Sequence, residues 1–415
     1  MLRSVCGTCS PLSSLSSDAL DRAIVCTVAA RDRLAWADQL GRSLRVHAPD
    51  TPFVVLVADH ARDLPEITAD VVLSIDDVLG VEARVWAFLH DERELAYALG
   101  PALLRYLARQ GSAMTVFLKE ESRVVGRLDR LLERASTRAV TLIPHFIDWP
   151  EGEHAALRAR GVRLAGTYNG GVVAVRGCEE GMAFLDWWVS RVEAACSFAP
   201  VLGEHFEQRW LDLALTLFEG VGIERDPGAN VGHWNLPERP LMVRDGLVTI
   251  GGGPVTIVRF SGFKGTSAVT SYFPEGLSVD DVGDARFLFE DVAAVLADPQ
   301  WHRPADELYA FGSFSNGVVI PVLARRAFAK DEHRTRFRDP FSCDRGGFAA
   351  WLDGGVDGAP SPISRFWMEV WKERPDVREA FPDPTHADAP GFAQWIEDHG
   401  VVEYGVPTAL AQEQA

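Results

Sequence analysis

Ala23-Ile24-Val25-Cys26-Thr27-Val28-Ala29, the stretch 33–47, and Pro52-Phe53-Val54-Val55-Leu56-Val57-Ala58 together decide the fold. The first and third are short, nearly uninterrupted apolar runs, the pattern of strands buried on both faces. Between them Leu34, Ala37, Leu40 and Leu44 fall near one side of a helix. Buried strand, amphipathic helix and buried strand is the order of a parallel pair joined by a crossover.

Working outward, the alternation continues. Strands are predicted over 70–75, 114–118, 140–143 and 172–175. Helices are predicted over 92–110, where Leu95, Leu99, Leu103, Tyr106 and Leu107 make the apolar stripe, and over 180–196, which carries Trp187 and Trp188. The expected fold class is α/β: a mostly parallel sheet flanked by helices, with ligands outside the carboxyl ends of the strands. Residues 247–250 and 255–258 read as a hairpin around Gly251-Gly252-Gly253, which makes those glycines turn residues and not a phosphate loop. After about Tyr272 strand-like runs become scarce, and helical segments at 287–297, 320–328 and 363–372 alternate with Pro/Gly-rich turns. The expected organisation is a Ser-rich leader (1–21), an α/β domain (22–272) and a mainly helical C-terminal region (273–415), with 408–415 frayed.

A formal net charge of −18 over 415 residues argues against a nucleic-acid binder, which needs a basic surface to displace counterions from phosphate. The six cysteines include one close pair, Cys6 and Cys9. That pair sits in the leader and not between a strand and a helix, so neither a redox motif nor a zinc site is expected. Residues 1–20 lack a continuous apolar core and no run approaches about 18 apolar residues, so a cytoplasmic protein without a transmembrane segment is expected, with peripheral membrane contact left open.

A series of segments carries more specific information. They are Ala29-Ala30-Arg31-Asp32, Glu94-Leu95-Ala96-Tyr97-Ala98-Leu99-Gly100-Pro101, Leu142-Ile143-Pro144-His145 and Thr167-Tyr168-Asn169-Gly170-Gly171. They continue with Asp186-Trp187-Trp188, Glu207-Gln208-Arg209-Trp210-Leu211-Asp212, Asp226-Pro227-Gly228-Ala229-Asn230 with Trp234-Asn235, and Arg259-Phe260-Ser261-Gly262-Phe263. In order and spacing over roughly 22–265 the chain resembles bacterial GT-A-fold glycosyltransferases of the family-eight-like group. Phe314-Ser315-Asn316-Gly317, Asp339-Pro340-Phe341 and Arg374-Pro375-Asp376 resemble the C-terminal portion of such proteins. The resemblance implies sugar transfer from a nucleoside-diphosphate sugar, a UDP-sugar for example, to a small-molecule or glycan acceptor. Thr27, Ala29 and Asp59 would then lie on the nucleotide side.

Two departures from that pattern bear on the chemistry. Such enzymes end a strand in Asp-X-Asp, whose carboxylates hold a divalent cation (Mn or Mg) on the donor diphosphate. Here the strand end reads Phe117-Leu118-Lys119-Glu120-Glu121. A second ligand, the His opening a His-Phe-Ser-Gly-Phe segment, is Arg259, followed by Lys264. Matched charge reversal suits a site that needs no metal, because fixed Lys and Arg stabilise developing phosphate charge. The alternatives are metal retained through Glu121 and a catalytically degenerate binding or scaffold protein. A Lys common in the group is Gly100 here, and the Asp of its Asp-Gln motif is Glu207.

Asn169, beside Gly170 and Gly171, is the expected donor-sugar contact, with a loop amide closing its own turn as the structural alternative. Glu207 and Asp212, five apart, do not share a helical face; one is expected at the sugar and the other in a cap or ion pair, in an order left open. Asp59 is a nucleotide contact or a turn residue, and His145 a cleft residue or a structural hydrogen-bonder. Asp76 and Asp77 stand at the wrong place in the motif order to replace Asp-X-Asp. Trp187, Trp188, Trp210 and Trp234 are expected mainly in the core.

Overall fold

The computed structural model describes residues 12, 15–152, 154–272, 277–302, 307–356 and 358–411. Cys6, Cys9 and the last four residues of the tail fall outside them. By packing, the chain divides into a unit comprising Met1–Gly80 and Ala96–Ala305 and a second comprising Val81–Leu95 and Asp306–Ala415.

The first unit holds a mixed α/β arrangement around a seven-stranded sheet. Its early strands are β1 (Ala23–Ala29), β2 (Phe53–Val57), β3 (Val71–Leu73) and β4 (Met114–Leu118). β5 (Ser122–Val124) follows directly, then β6 (Val140–Pro144) and β7 (Tyr168–Arg176). β8 (Phe198–Ala199) and β9 (Glu204–His205) make a small hairpin, and β10 (Val221–Ile223) returns to the sheet, whose order is β10-β6-β7-β4-β1-β2-β3. Every neighbouring pair in it is parallel except those of β7, which runs against both β4 and β6. As the apolar runs require, β1 and β2 are buried almost throughout and pair from Val25↔Phe53 to Ala29↔Val57. The helix Leu34–His47 covers them with Leu34, Ala37, Leu40 and Leu44 buried.

The reversal of β7 positions the site. Its register sets Leu118 opposite Val172 and Tyr168 opposite Pro144, so the ends of β4 and β6 and the beginning of β7 meet at one sheet edge. The predicted strand 172–175 therefore begins four residues earlier. Asn169, Gly170 and Gly171 look like loop residues, yet they continue the ladder: the Lys119 amide donates to the Gly171 carbonyl at 2.9 Å.

The remaining strands are β11 (Met242–Arg244), β12 (Leu247–Ile250), β13 (Gly253–Pro254) and β14 (Ile257–Arg259). The predicted hairpin forms around Gly251 and Gly252, but β12 pairs with 253–254. Residues 257–259 pair instead with β5, setting Arg259 opposite Ser122. Phe260 and Phe263 then lock this segment into a core with Trp36 and Phe289. Asp77 and Ser74 form a capping box on the short helix Ile75–Leu79, so Asp77 serves local structure.

The second unit is mainly helical. Phe88 lies at its centre, with the rings of Phe328 and Phe341 edge-on at 5.0 Å each and that of Phe348 at 5.6 Å. Buried Arg325 donates to the carbonyls of Ala87, Phe88 and His90 and to that of Phe311, which satisfies the end of the helix Ala83–Leu89. The expectation of a frayed tail is corrected for 408–411. The amides of Leu410 and Ala411 donate to Asp353, the Trp367 indole donates to the Thr408 carbonyl, and Leu410 is buried. Asp353 and the buried Leu410 side chain together anchor this stretch.

Candidate functional site

Beyond Leu118 the chain turns through Lys119-Glu120-Glu121 into β5, the Ser122 amide donating to the Lys119 carbonyl at 2.9 Å. This turn and the β5–β14 pairing bring the two substituted positions of the sequence pattern to the same edge. Glu121 is the hinge between them. Arg259 Nη2 donates to Glu121 Oε1 at 3.0 Å, and Arg33 Nη2 donates to Glu121 Oε2 at 2.7 Å. Arg33, at the start of the helix Leu34–His47, also donates through Nε to Glu120 Oε1 at 3.0 Å and lies over the Trp36 ring. Burial works against ionisation of Glu121, but Arg33, Arg259 and Lys119 outweigh it and hold the carboxyl well below the usual range.

The other arm of Arg259 reaches the glycine pair. Nη1 donates to Asn169 Oδ1 at 2.9 Å, and the Gly171 amide donates to the same oxygen at 3.0 Å. With its oxygen fixed, the Asn169 amide nitrogen donates to His145 Nε2 at 3.0 Å, and His145 Nδ1 donates to the Thr167 carbonyl at 3.2 Å. Burial, opposed by that carbonyl, pushes the His145 imidazole down to about 4, so it is the neutral ring that the hydrogen bonds require. Neither glycine has room for a side chain. A Cβ on Gly171 would stand 1.5 Å from Arg259 Nη1, and one on Gly170 would stand 2.7 Å from Glu207 Oε1. The pair is thus a bare stretch of backbone between a guanidinium and a carboxylate.

Lys119 is held differently. Its ammonium sits 3.0 Å above the centre of the Tyr97 ring, and Tyr97 in turn stacks on Phe206 at 4.0 Å with the planes 6° apart. Lys119 is 8% exposed, and among the described residues no acceptor or ion-pair partner stands within bonding reach of its ammonium. Burial disfavours the charge, but Tyr97 and the carboxylates of Glu120, Glu207 and Glu121 reverse the balance and raise its pKa. Phe206 holds a left-handed backbone (φ 48°), sterically unfavourable for a bulky residue, and directs the next residue inward. That residue is Glu207. It is buried, its carbonyl accepts from the Trp188 indole, and its Oε2 has no hydrogen-bond partner among the described residues. Burial, partly offset by Lys119, pushes its carboxyl up to about 7.

The site therefore assembles Lys119, Glu121, Asn169, His145, Gly170, Glu207 and Arg259. Asp212 is elsewhere engaged: it accepts from the Thr167 amide at 2.8 Å and pairs with Arg209. Asp59 is buried after β2 and accepts from its neighbour's amide, the His60 N–H, at 2.7 Å. Thr27 and Ala29 are wholly buried in β1, Lys264 is exposed, and Gly100 packs against the Phe117 ring. Trp188 and Trp234 are core residues, and Trp210 donates to the Ala195 carbonyl. Arg33, Glu120, Tyr97 and Phe206 were not singled out from the sequence. Arg33 and Tyr97 stand within or beside the quoted segments, which was the available signal.

A divalent cation fits these residues poorly. Both oxygens of Glu121 are taken by guanidinium groups, Lys119 and Arg259 add like charge, and among the described residues no group of three His, Cys, Asp or Glu could hold a metal ion. Among the described residues no helix is long and apolar enough to cross a membrane.

No family model matches the chain. The uncharacterized protein YfnF of Bacillus subtilis (strain 168) is 26% identical over 247 residues, covering 58% of this chain and 81% of that protein. A structure of galactosyltransferase LgtC with donor and acceptor sugar analogues is 15% identical with a TM-score of 0.40, covering 69% of this chain and 98% of LgtC. The glycosyltransferase GlyE of Streptococcus pneumoniae TIGR4 is 12% identical with a TM-score of 0.39, covering 66% of this chain and 62% of GlyE.

Proposed function

We propose that this protein is a GT-A-type glycosyltransferase that moves a sugar from a nucleoside-diphosphate sugar to a small-molecule or glycan acceptor without an obligatory divalent metal. The observation that carries the reading is that Lys119, seated on the Tyr97 ring and without an acceptor among the described residues, interacts electrostatically with the buried carboxyl of Glu207. By motif order Lys119 stands at the first Asp of the Asp-X-Asp with which the enzymes that the sequence resembles hold a metal on their donor diphosphate. In the transfer the bond from the anomeric carbon to the β-phosphate oxygen breaks and a bond to the acceptor oxygen forms. Lys119 offers N–H donors and charge to the leaving diphosphate, which gains negative charge as it departs. Glu207 and Asn169, on either side of the bare Gly170–Gly171 backbone, are the groups that meet the sugar; the acceptor's proton leaves to Glu207 or to the departing diphosphate.

The competing reading is a binding or scaffold protein on the same fold. What favours it is that two arginines, Arg33 and Arg259, and two glutamates, Glu120 and Glu121, balance one another without a ligand. Nucleotide-sugar hydrolysis and transfer, screened over common donors with EDTA and again with added manganese, test the proposal. Turnover that persists in EDTA is expected; activity that chelator abolishes and manganese restores overturns the metal-free part. Calorimetric titration with UDP, GDP and dTDP separates the two readings, since binding to none of them leaves only the scaffold.

A further inference from the structure

The cations at the site are not equivalent. Arg33 and Arg259 approach one carboxylate from opposite sides, each at salt-bridge distance, and Arg259 is buried to 3% exposure. A carboxylate bridging two guanidinium groups has the geometry that a bound phosphate oxygen pair would have there, with the same bidentate preference. Lys119 is buried too but rests on the face of an aromatic ring, which attracts the charge, and among the described residues no oxygen accepts from its N–H donors. The Tyr97 ring and the carboxylates of Glu120, Glu207 and Glu121 hold that charge without occupying its N–H donors, which are left for an arriving anion.

We propose that Glu121 is a resident counter-anion that occupies the two arginines in place of a ligand, and that Lys119 is the cation left to capture the incoming diphosphate. Glu121 then limits affinity for anionic ligands, the opposite of what a metal-ligating carboxylate does. Arg259 acts as a positioning residue. Through Nη1 it fixes the Asn169 oxygen, and through Nη2 it is anchored to Glu121. Glu120 takes a lesser part because it touches Arg33 but not Arg259.

The inference rests on the glycosyl-transfer reading for the identity of the ligand, and its test is binding, not turnover. UDP and inorganic pyrophosphate are titrated calorimetrically into the full chain in EDTA, using the wild type, Glu121→Gln, Glu120→Gln and Lys119→Met. Glu121→Gln is expected to bind UDP roughly ten-fold tighter, the effect of one unit charge about 10 Å away at an effective dielectric near 20. Glu120→Gln should show a smaller gain in the same direction, which keeps the proposal testable if Glu121→Gln fails to fold. Lys119→Met should bind at least about ten-fold more weakly, having lost a charge-assisted contact. Weaker binding by Glu121→Gln, or unchanged binding by Lys119→Met, overturns the inference while leaving glycosyl transfer standing. A wild type that binds none of UDP, GDP, dTDP and pyrophosphate refutes both. Binding in the expected order without any sugar transfer refutes the transferase reading alone.

Discussion

Replacing Glu207 by Gln should make the protein more stable at alkaline pH, and by an amount that can be worked from its surroundings. Burial raises this carboxyl from its ordinary 4.5 to about 7, with Lys119 only partly compensating, and among the described residues Oε2 finds no hydrogen-bond partner. Between those two values the native protein holds a proton that the unfolded chain has released. Stability therefore falls as pH rises through this window and levels off above about 7. The displacement corresponds to about 3 kcal/mol once the group is ionised, and near-complete burial leaves little screening to subtract. Glutamine keeps the shape and removes the charge. Urea unfolding of the wild type and Glu207→Gln should thus differ by less than about 1 kcal/mol at pH 5 and by about 3 kcal/mol at pH 8, the variant being the more stable. A difference that does not change with pH would refute the reasoning, because it would mean that the carboxyl titrates alike in the folded and unfolded chains. A site residue that destabilises its own fold is the pattern expected of a group kept for chemistry.

Gly171→Ala should drive the Arg259 guanidinium off both Glu121 and Asn169, because the new methyl would overlap Nη1; breaking that buried pair should lower unfolding free energy by about 3 kcal/mol, and unchanged urea stability would contradict the packing described. In the helical unit, Arg325→Ala removes the donors that four backbone carbonyls share, at a cost of about 3 kcal/mol or more. Faster amide exchange around Phe88 is the expected signature, and wild-type protection there would count against it.

The sequence made the sheet legible because β1, β2 and β4 are apolar on both faces, a pattern with few alternative readings. The reversal of β7 was not legible, since a short buried run carries no sign of its direction. Motif order singled out Lys119, Glu121, Asn169, His145, Glu207 and Arg259, which the structure brings together in the candidate site. The choice between Glu207 and Asp212 stayed open because both were expected on one α-helix. In the structure a 3-10 helix spans Gln208–Leu213 and Glu207 precedes it, aimed by a left-handed Phe206 that no sequence rule anticipates. Arg33 and Tyr97 escaped for a different reason. Their roles come from Glu121 and Lys119, far along the chain, and local pattern reports only on near neighbours.

Because β7 alone is reversed, the whole connection from Pro144 to Tyr168 starts and finishes on the edge that carries Lys119 and the glycine pair. An insertion or deletion within residues 146–166 would remodel the rim of that edge, while the ladders of β4, β6 and β7 keep their register. Diversification of what the rim admits therefore needs only this one connection, which carries the helix Ala155–Ala165, and leaves the charged floor beneath it untouched.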